Sequence, residues 1–420
     1  MYSSIAAANQ AVIERIKTAR PHWVGVCLAQ QAIPLLADGK QLLHAGPPIA
    51  WEDMTGPMRG ACIGAAIFEG WANDERDALT QLNNGDIAFT PCHHVHAVGP
   101  MGGITSANMP VVMVKNITHG NMAYCNLNEG IGKVMRFGAY DDEVQQRLRW
   151  MRTVLAPVLN EALAQIENGI DLSALMAQAI TMGDEFHQRN IASSALLLRI
   201  LAAAITRLPR DKNQLAEVLH FLSVTDQFFL NLAMAYCKAV MDAGAEIRAG
   251  SIVTAMTRNG RDFGIRVSGL GERWFTAPVN TPNGLFFTGY SQQDANPDIG
   301  DSAITETLGI GGAAMIAAPG VTRFVGTGGI EAALETSEEM AEIYLEHNPL
   351  LQIPSWNFQG ACLGLDIRRV VETGITPLIN TGIAHREPGV GQVGAGTVRA
   401  PLPCFEQALL ALADTMNIKG

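Results

Sequence analysis

Three of the ten histidines fall within four positions, in Thr90-Pro-Cys-His-His-Val-His-Ala-Val-Gly-Pro-Met-Gly-Gly-Ile-Thr-Ser106. If this run is extended, alternation puts Cys92, His94 and His96 on one side and His93 with Val95 on the other. Such imidazoles can polarise a carbonyl, donate to an oxyanion or act as a general acid, so His93, His94 and His96 are catalytic candidates. With Cys92 they could also bind zinc, but no fourth ligand, His-Glu-x-x-His or paired Cys-x-x-Cys accompanies them, and no metal is expected. Satisfied structural histidines are the third reading. The turn after the run is glycine-rich, and its backbone can approach a ligand closely, so Gly102 and Gly103 are candidates for cradling phosphate.

A second polar run, Gly183-Asp-Glu-Phe-His-Gln-Arg-Asn190, lies between apolar stretches. Asp184 and His187 are three apart, so on a helix they share a face, where a carboxylate can fix a histidine tautomer. Arg189 and Asn190 add an anion fork and an amide. The plain alternative is a solvated helix junction capped by Asp184. In Asp301-Ser-Ala-Ile-Thr-Glu306 the polar residues Asp301, Ser302, Thr305 and Glu306 mark a helix start, whose free N–H groups attract anions. Arg368 shares a strand face with Asp366, and Arg59 sits in a helix of small residues, where an unpaired cation is costly. Either arginine can clamp a carboxylate or phosphate, and either can make a structural ion pair. Asn280 opens the turn-forming run Asn280-Thr-Pro-Asn-Gly284. Two glycine runs, from Gly309 and from Gly389, match dinucleotide spacing, but neither follows a clear strand and opens a helix. No Gly-x-x-x-x-Gly-Lys-Ser/Thr loop occurs, so no cofactor is expected.

The elements that must position these residues fall into three parts. Over 1–140 helices and strands alternate, an α/β pattern. Ser3 or Ser4 caps a helix that Pro21 stops, and a second helical piece ends at Asp38-Gly39. Leu42–His44, Ile87–Thr90 and Val111–Val114 read as strands, and Gly56–Gly70 as a small-residue helix. Over 141–250 helical periodicity predicts four or five helices and no strands. Over 251–420 strands return, giving an α+β part. Asn259-Gly260 turns a hairpin between Ile252–Thr257 and Phe263–Val267. Further strands are expected at Trp274–Val279, Leu285–Thr288 and within Cys362–Ile383, and helices in Gly300–Gly320, Ser337–His347 and Pro403–Met416. The fold class is therefore mixed α/β and α+β.

The composition narrows the function classes. Of 420 residues only 16% are charged, 48% are hydrophobic, and the net charge is −11. That balance argues against nucleic-acid binding, which needs basic patches to displace counterions. Seven scattered cysteines without a paired motif read as reduced thiols. No signal-peptide pattern and no bilayer-length apolar run is seen, so the expectation is a soluble cytoplasmic protein without a membrane partner. Low charge with 42 glycines suggests buried subunit interfaces and a homo-oligomer.

Several long stretches carry a resemblance. Met54–Arg59, Pro91–Ser106, Asn126-Leu-Asn-Glu-Gly-Ile-Gly-Lys-Val-Met-Arg-Phe-Gly138, Gly183–Asn190 and Gly300–Glu306 resemble the YlbE/YahG-type bacterial family, over essentially the whole chain. The resemblance implies a subunit of an oxamate carbamoyltransferase of anaerobic allantoin degradation. That enzyme interconverts oxalurate plus phosphate with oxamate plus carbamoyl phosphate. It also implies two partner subunits, one FdrA-like (AllF) and one AllH-like. No residue roles come with it, and the Ser-Thr-Arg-Thr phosphate motif of aspartate and ornithine carbamoyltransferases is absent. Phosphorolysis of oxalurate needs oxyanion donors, cations for phosphate and carboxylate, and an acid for the leaving nitrogen. The expected site lies between the α/β and α+β parts, lined by the His187 segment. A non-catalytic structural or regulatory subunit, or an acyl- or CoA-type transferase, are the alternatives.

Overall fold

The computed structural model describes residues 4–326 and 328–415. Its first helix, Ile5–Thr18, is capped by Ser4, whose hydroxyl accepts from Ala7 N at 3.1 Å. Ser3 lies outside the described residues. Pro21 does more than stop the helix: it opens the strand Pro21–Leu28, which the sequence pattern did not announce. This strand lies next to the end of a five-stranded sheet, in the order Ala97–Val98, Met122–Asn126, Pro110–Asn116, Pro21–Leu28, Ile170–Asp171. The last of these is a short strand inside the region expected to be all helix. A separate parallel pair joins Gln41–His44 to Ala88–Pro91, with the helices Gly56–Phe68 and Glu75–Asn84 in the crossover between them.

The central helices pack behind the large sheet. Asp142–Trp150 runs through a π-turn at Met151–Leu155 into Ala156–Leu163, and Leu172–Thr181, Ile191–Ile205 and Lys212–Val224 follow. Phe228–Ala245 buries nearly every side chain against Pro110–Asn116, Met122–Asn126 and the first helix. Its one buried cation, Lys238, is held by Asp242 at 2.6 Å one turn on. Among the described residues no single helix is long and apolar enough to cross a membrane.

The C-terminal third is built on antiparallel pairs. The hairpin Val253–Asn259 and Asp262–Val267 forms as expected: Asn259 Oδ1 accepts from Arg261 N and Asp262 N at 3.0 and 2.7 Å, and Gly260 takes φ 84°. It belongs to a four-stranded sheet with Phe275–Pro278 and Ile299–Gly300 on its edges. Asn283–Phe286, Gln392–Arg399 and Leu378–Ala384 make a second sheet, and Tyr344–Ile353 pairs with Gln359–Leu365. Three expectations need correction. The helix placed at Ser337–His347 spans Ile330–Ala341, and Tyr344 already begins a strand. Within Gly300–Gly320 there is no single packed helix, but one turn at Ile304–Thr307 and a 3-10 stretch at Gly311–Ala317. Arg368 is not on a strand: Asp366 caps the helix Ile367–Thr373, accepting from Arg368 N at 2.9 Å. The fold is mixed α/β, with one large hydrophobic core drawing on residues from Ala8 to Leu412.

Candidate active site

The histidine run does not form a strand. Cys92–Val95 is a single 3-10 turn, and His96 closes it in the left-handed region at φ 57°. Alternation is lost, so Cys92 and His93 are buried while His94 and His96 are exposed. Cys92 Sγ points to Gly103 O at 3.4 Å, Trp274 Nε1 donates to His94 Nε2 at 2.9 Å, and His96 Nδ1 meets Asp242 at 3.0 Å. The three side chains do not converge. Among the described residues no group of three or more His, Cys, Asp or Glu is placed to hold a metal ion. His93 is sealed in, with neither ring nitrogen hydrogen-bonded, and burial holds its pKa well below the ordinary histidine value.

The glycine turn is occupied by the protein itself. Gly99 N donates to Asp301 Oδ2 at 2.9 Å, Gly102 N to Arg136 O at 3.0 Å and Gly103 N to Pro100 O at 3.1 Å. Gly103 also lies so close to Ala45 that a Cβ would stand 2.6 Å from Ala45 N. Gly102 and Gly103 therefore have no N–H left for a phosphate. Asp301 is likewise no anion site: its buried carboxylate accepts from Gly46 N at 3.0 Å, from Gly99 N and from the Thr257 hydroxyl. Burial raises its pKa to about 6.

The His187 segment is a loop, so Asp184 and His187 do not share a helix face. Asp184 serves the following helix instead, accepting from Ala192 N at 3.1 Å and from Ser193 N and Oγ at 2.7 Å. Arg189 lies 3.7 Å from Asp184, and Asn190 Nδ2 reaches His187 O at 3.5 Å. The carboxylate that meets His187 is Glu306: its Oε1 lies 2.7 Å from Nδ1, and both side chains are buried. Glu306 is itself fixed by Gly312 N at 2.9 Å and the Thr305 hydroxyl at 2.9 Å, and Thr305 also stands 3.2 Å from Nδ1. With Nδ1–H directed at Glu306, Nε2 is the ring's free acceptor, and His187 lines the neighbouring cavity.

That cavity has a volume of about 80 Å³ and is walled by Pro100, Met101, Arg136, His187, Ser302 and Gly382, among others. Arg136 comes from the 3-10 turn Met135–Phe137. Its Nη1 donates to Asn128 Oδ1 at 2.8 Å, and its guanidinium lies 5.3 Å from the Phe137 ring. Burial lowers its pKa to about 10, so at neutral pH it remains a cation. Ser302 Oγ lies 3.3 Å from Nη1 of Arg258, which is fully buried in a pair with Asp298 at 2.6 Å. Since Arg258 only donates, Ser302 Oγ accepts there and keeps its own proton as a donor, and Ser302 lines the cavity.

Of the residues singled out from the sequence, the cavity gathers His187 and Ser302, with Thr305 one step behind. Arg59 is elsewhere, donating to Met54 O and Glu52 O at 2.9 Å and stacked 4.8 Å over Trp51. Arg368 folds back on Asp366 at 2.6 Å, and Asn280 Nδ2 donates to Arg399 O at 2.8 Å. Arg136 was missed as a site residue, and so was Glu306 as the partner of His187. The signal for Arg136 was a lone cation between Met135 and Phe137, the argument already applied to Arg59.

Together these features define a mixed α/β protein in which a histidine–carboxylate pair, a hydroxyl and a buried guanidinium share one small cavity. The family model described as Oxamate carbamoyltransferase subunit AllG matches residues 87–302. The chain is 75% identical over 418 residues to Oxamate carbamoyltransferase subunit AllG of Escherichia coli (strain K12), covering 100% of both. The chain belongs to the AllG family. It is also 46% identical over 414 residues to the uncharacterized protein YahG of the same organism, covering 99% of this chain and 87% of that one. A crystal structure of a conserved protein of unknown function from Enterococcus faecalis V583 superposes with a TM-score of 0.96 at 47% identity, covering 98% of each chain.

Proposed function

We propose that this chain is a subunit of an oxamate carbamoyltransferase, acting in anaerobic allantoin breakdown together with an FdrA-like and an AllH-like partner, and that the cavity beside His187 is where oxamate reacts. The observation that carries this reading is the His187–Glu306 pair at a small cavity that His187 lines together with the buried Arg136. In the direction that forms oxalurate, the oxamate amide nitrogen attacks the carbonyl carbon of carbamoyl phosphate. Its proton passes to His187 Nε2, the C–O bond to phosphate breaks, and phosphate leaves. Glu306 holds the ring in the required tautomer and stabilises the imidazolium that forms. Arg136 pairs with the oxamate carboxylate. The Ser302 hydroxyl faces the carbonyl oxygen as charge builds there. In the reverse direction His187 returns the proton to the leaving nitrogen.

The test is turnover of the assembled three-subunit enzyme. His187→Gln is expected to lower kcat by about 10²- to 10⁴-fold. Arg136→Met is expected to raise the KM for oxamate by about 10- to 100-fold, the range for a hydrogen bond to a charged group. If both variants turn over at the normal rate with normal KM, the reacting atoms lie on another subunit and this chain is structural.

A further inference from the structure

The turn carrying His187 is tightly wound, and one side chain holds it. Glu185 Oε1 accepts from the backbone N–H groups of His187 at 3.1 Å, Gln188 and Arg189 at 2.6 Å. Its Oε2 accepts from Asn380 Nδ2 at 3.1 Å, and its main-chain carbonyl from Gly311 N at 2.7 Å. Between Glu185 and His187 stands Phe186 at φ 69°, fully buried with its ring centroid 6.2 Å from that of Phe229. A left-handed aromatic residue is strained and persists only where its surroundings over-determine it. Here three N–H groups on one oxygen and a ring locked in the core do so. The outcome is that His187 and Gln188 both line the cavity. Asn380 couples this turn to the partner of the imidazole, since its backbone N lies 3.3 Å from Glu306 Oε1 while its side chain holds Glu185.

We propose that Glu185 is a positioning residue for His187: its carboxylate holds the 185–189 turn so that Nδ1 meets Glu306 and His187 lines the cavity. The inference rests on the reading of His187 as the proton-transfer group. Glu185 does not itself line the cavity. The titratable groups facing it are His187 and Glu306, and burial raises its pKa to about 7. Replacement by glutamine keeps an uncharged oxygen at the same reach for the three N–H groups. The new amide group would meet Asn380 Nδ2, but Asn380 Oδ1 is buried without a partner, so a half-turn of the Asn380 amide offers the acceptor required.

The test uses the assembled enzyme carbamoylating oxamate. Glu185→Asp, too short to cap all three N–H groups, is expected to lower kcat about 10- to 100-fold, the scale of a misplacement near 1 Å, with the oxamate KM within about twofold. Glu185→Gln, which keeps that oxygen at full reach, is expected to hold kcat within about threefold of wild type with the oxamate KM unchanged. Wild-type kcat in Glu185→Asp, or a loss in Glu185→Gln as large as that expected of Glu185→Asp, overturns the proposal. Should Glu185→Asp not assemble, Asn380→Ser, which removes the Nδ2 donor to Glu185 Oε2, takes its place: a lowered kcat with unchanged KM is expected, and wild-type kcat overturns the proposal. His187→Gln, measured alongside, separates the two claims. Full activity there sinks the reading of the site, whereas loss there with unaffected Glu185 variants sinks the positioning role alone.

Discussion

His44 is fully enclosed, with Nδ1 2.8 Å from Ala45 O, and burial lowers its pKa from 6.5 to about 4. The unfolded chain therefore binds a proton between pH 6.5 and 4 that the folded chain does not, and stability falls as the pH drops through that window. At about 1.4 kcal/mol per pH unit, His44 alone can remove on the order of 3 kcal/mol. The sealed His93 acts in the same direction. Asp301 and Glu185 oppose them: their pKa values are raised from 3.8 to about 6 and from 4.5 to about 7, so their contributions are full below 3.8 and 4.5 and are lost as the pH rises through 6 and 7. The urea midpoint between pH 4 and 7 is set by these opposed groups, and the share of His44 is read by difference. His44→Asn keeps a donor for Ala45 O without the titration, so between pH 6.5 and 4 its midpoint should fall less, or rise more, toward acid than that of the wild type. Parallel curves for variant and wild type would mean that His44 titrates normally.

Contacts between elements set the position of Arg136. The helix Gly56–Phe68 meets the turn ending at Gly138 so closely that a Cβ on Gly60 would stand 2.1 Å from Gly138 O. Gly60→Ala must push that turn away, at a cost of about 1–3 kcal/mol in stability. It should also raise the KM for oxamate, because Arg136 rides on the same turn. Gly70→Ala, at φ 71° with open space around it, should cost only backbone strain and leave the KM alone. Thermal melts and KM values for the two variants check this; equal effects would break the link between helix contact and site. The small-residue helix was legible because close packing leaves a composition signature. The Pro21–Leu28 strand was not: Pro21 reads as a helix stop, and Gly25 breaks its apolar alternation. The histidine run misled for a related reason. Extension was inferred from residue types, while the 3-10 turn and the left-handed His96 follow from tertiary contacts such as Asp301 on Gly99 N and Trp274 on His94.

At the scale of the molecule, the cavity exists only in the folded whole. Arg136, His187, Ser302 and Gly382 come from segments up to 246 positions apart, which sequence spacing cannot bring together. Single-sequence reasoning found His187 and Ser302 because polar residues in apolar surroundings stand out. It had no means of pairing His187 with Glu306 rather than with the nearer Asp184. The same geometry ranks the arginines. A net charge of −11 repels anions in general, so an anionic ligand needs a local cation shielded from that field. Arg136 is buried at the cavity, whereas Arg368 is already satisfied by Asp366. If oxamate binds there, the ligand at 100 times its Kd adds about 2.7 kcal/mol to the stability of the isolated chain, read as a rise in Tm. Arg136→Met, binding about 10- to 100-fold more weakly, should cut that gain to about 0.4–1.4 kcal/mol at the same oxamate concentration, and Arg368→Gln should leave it intact. The opposite pattern would place the anion outside this cavity. A shift absent from the isolated chain but present in the assembled enzyme would mean that a partner subunit completes the binding site.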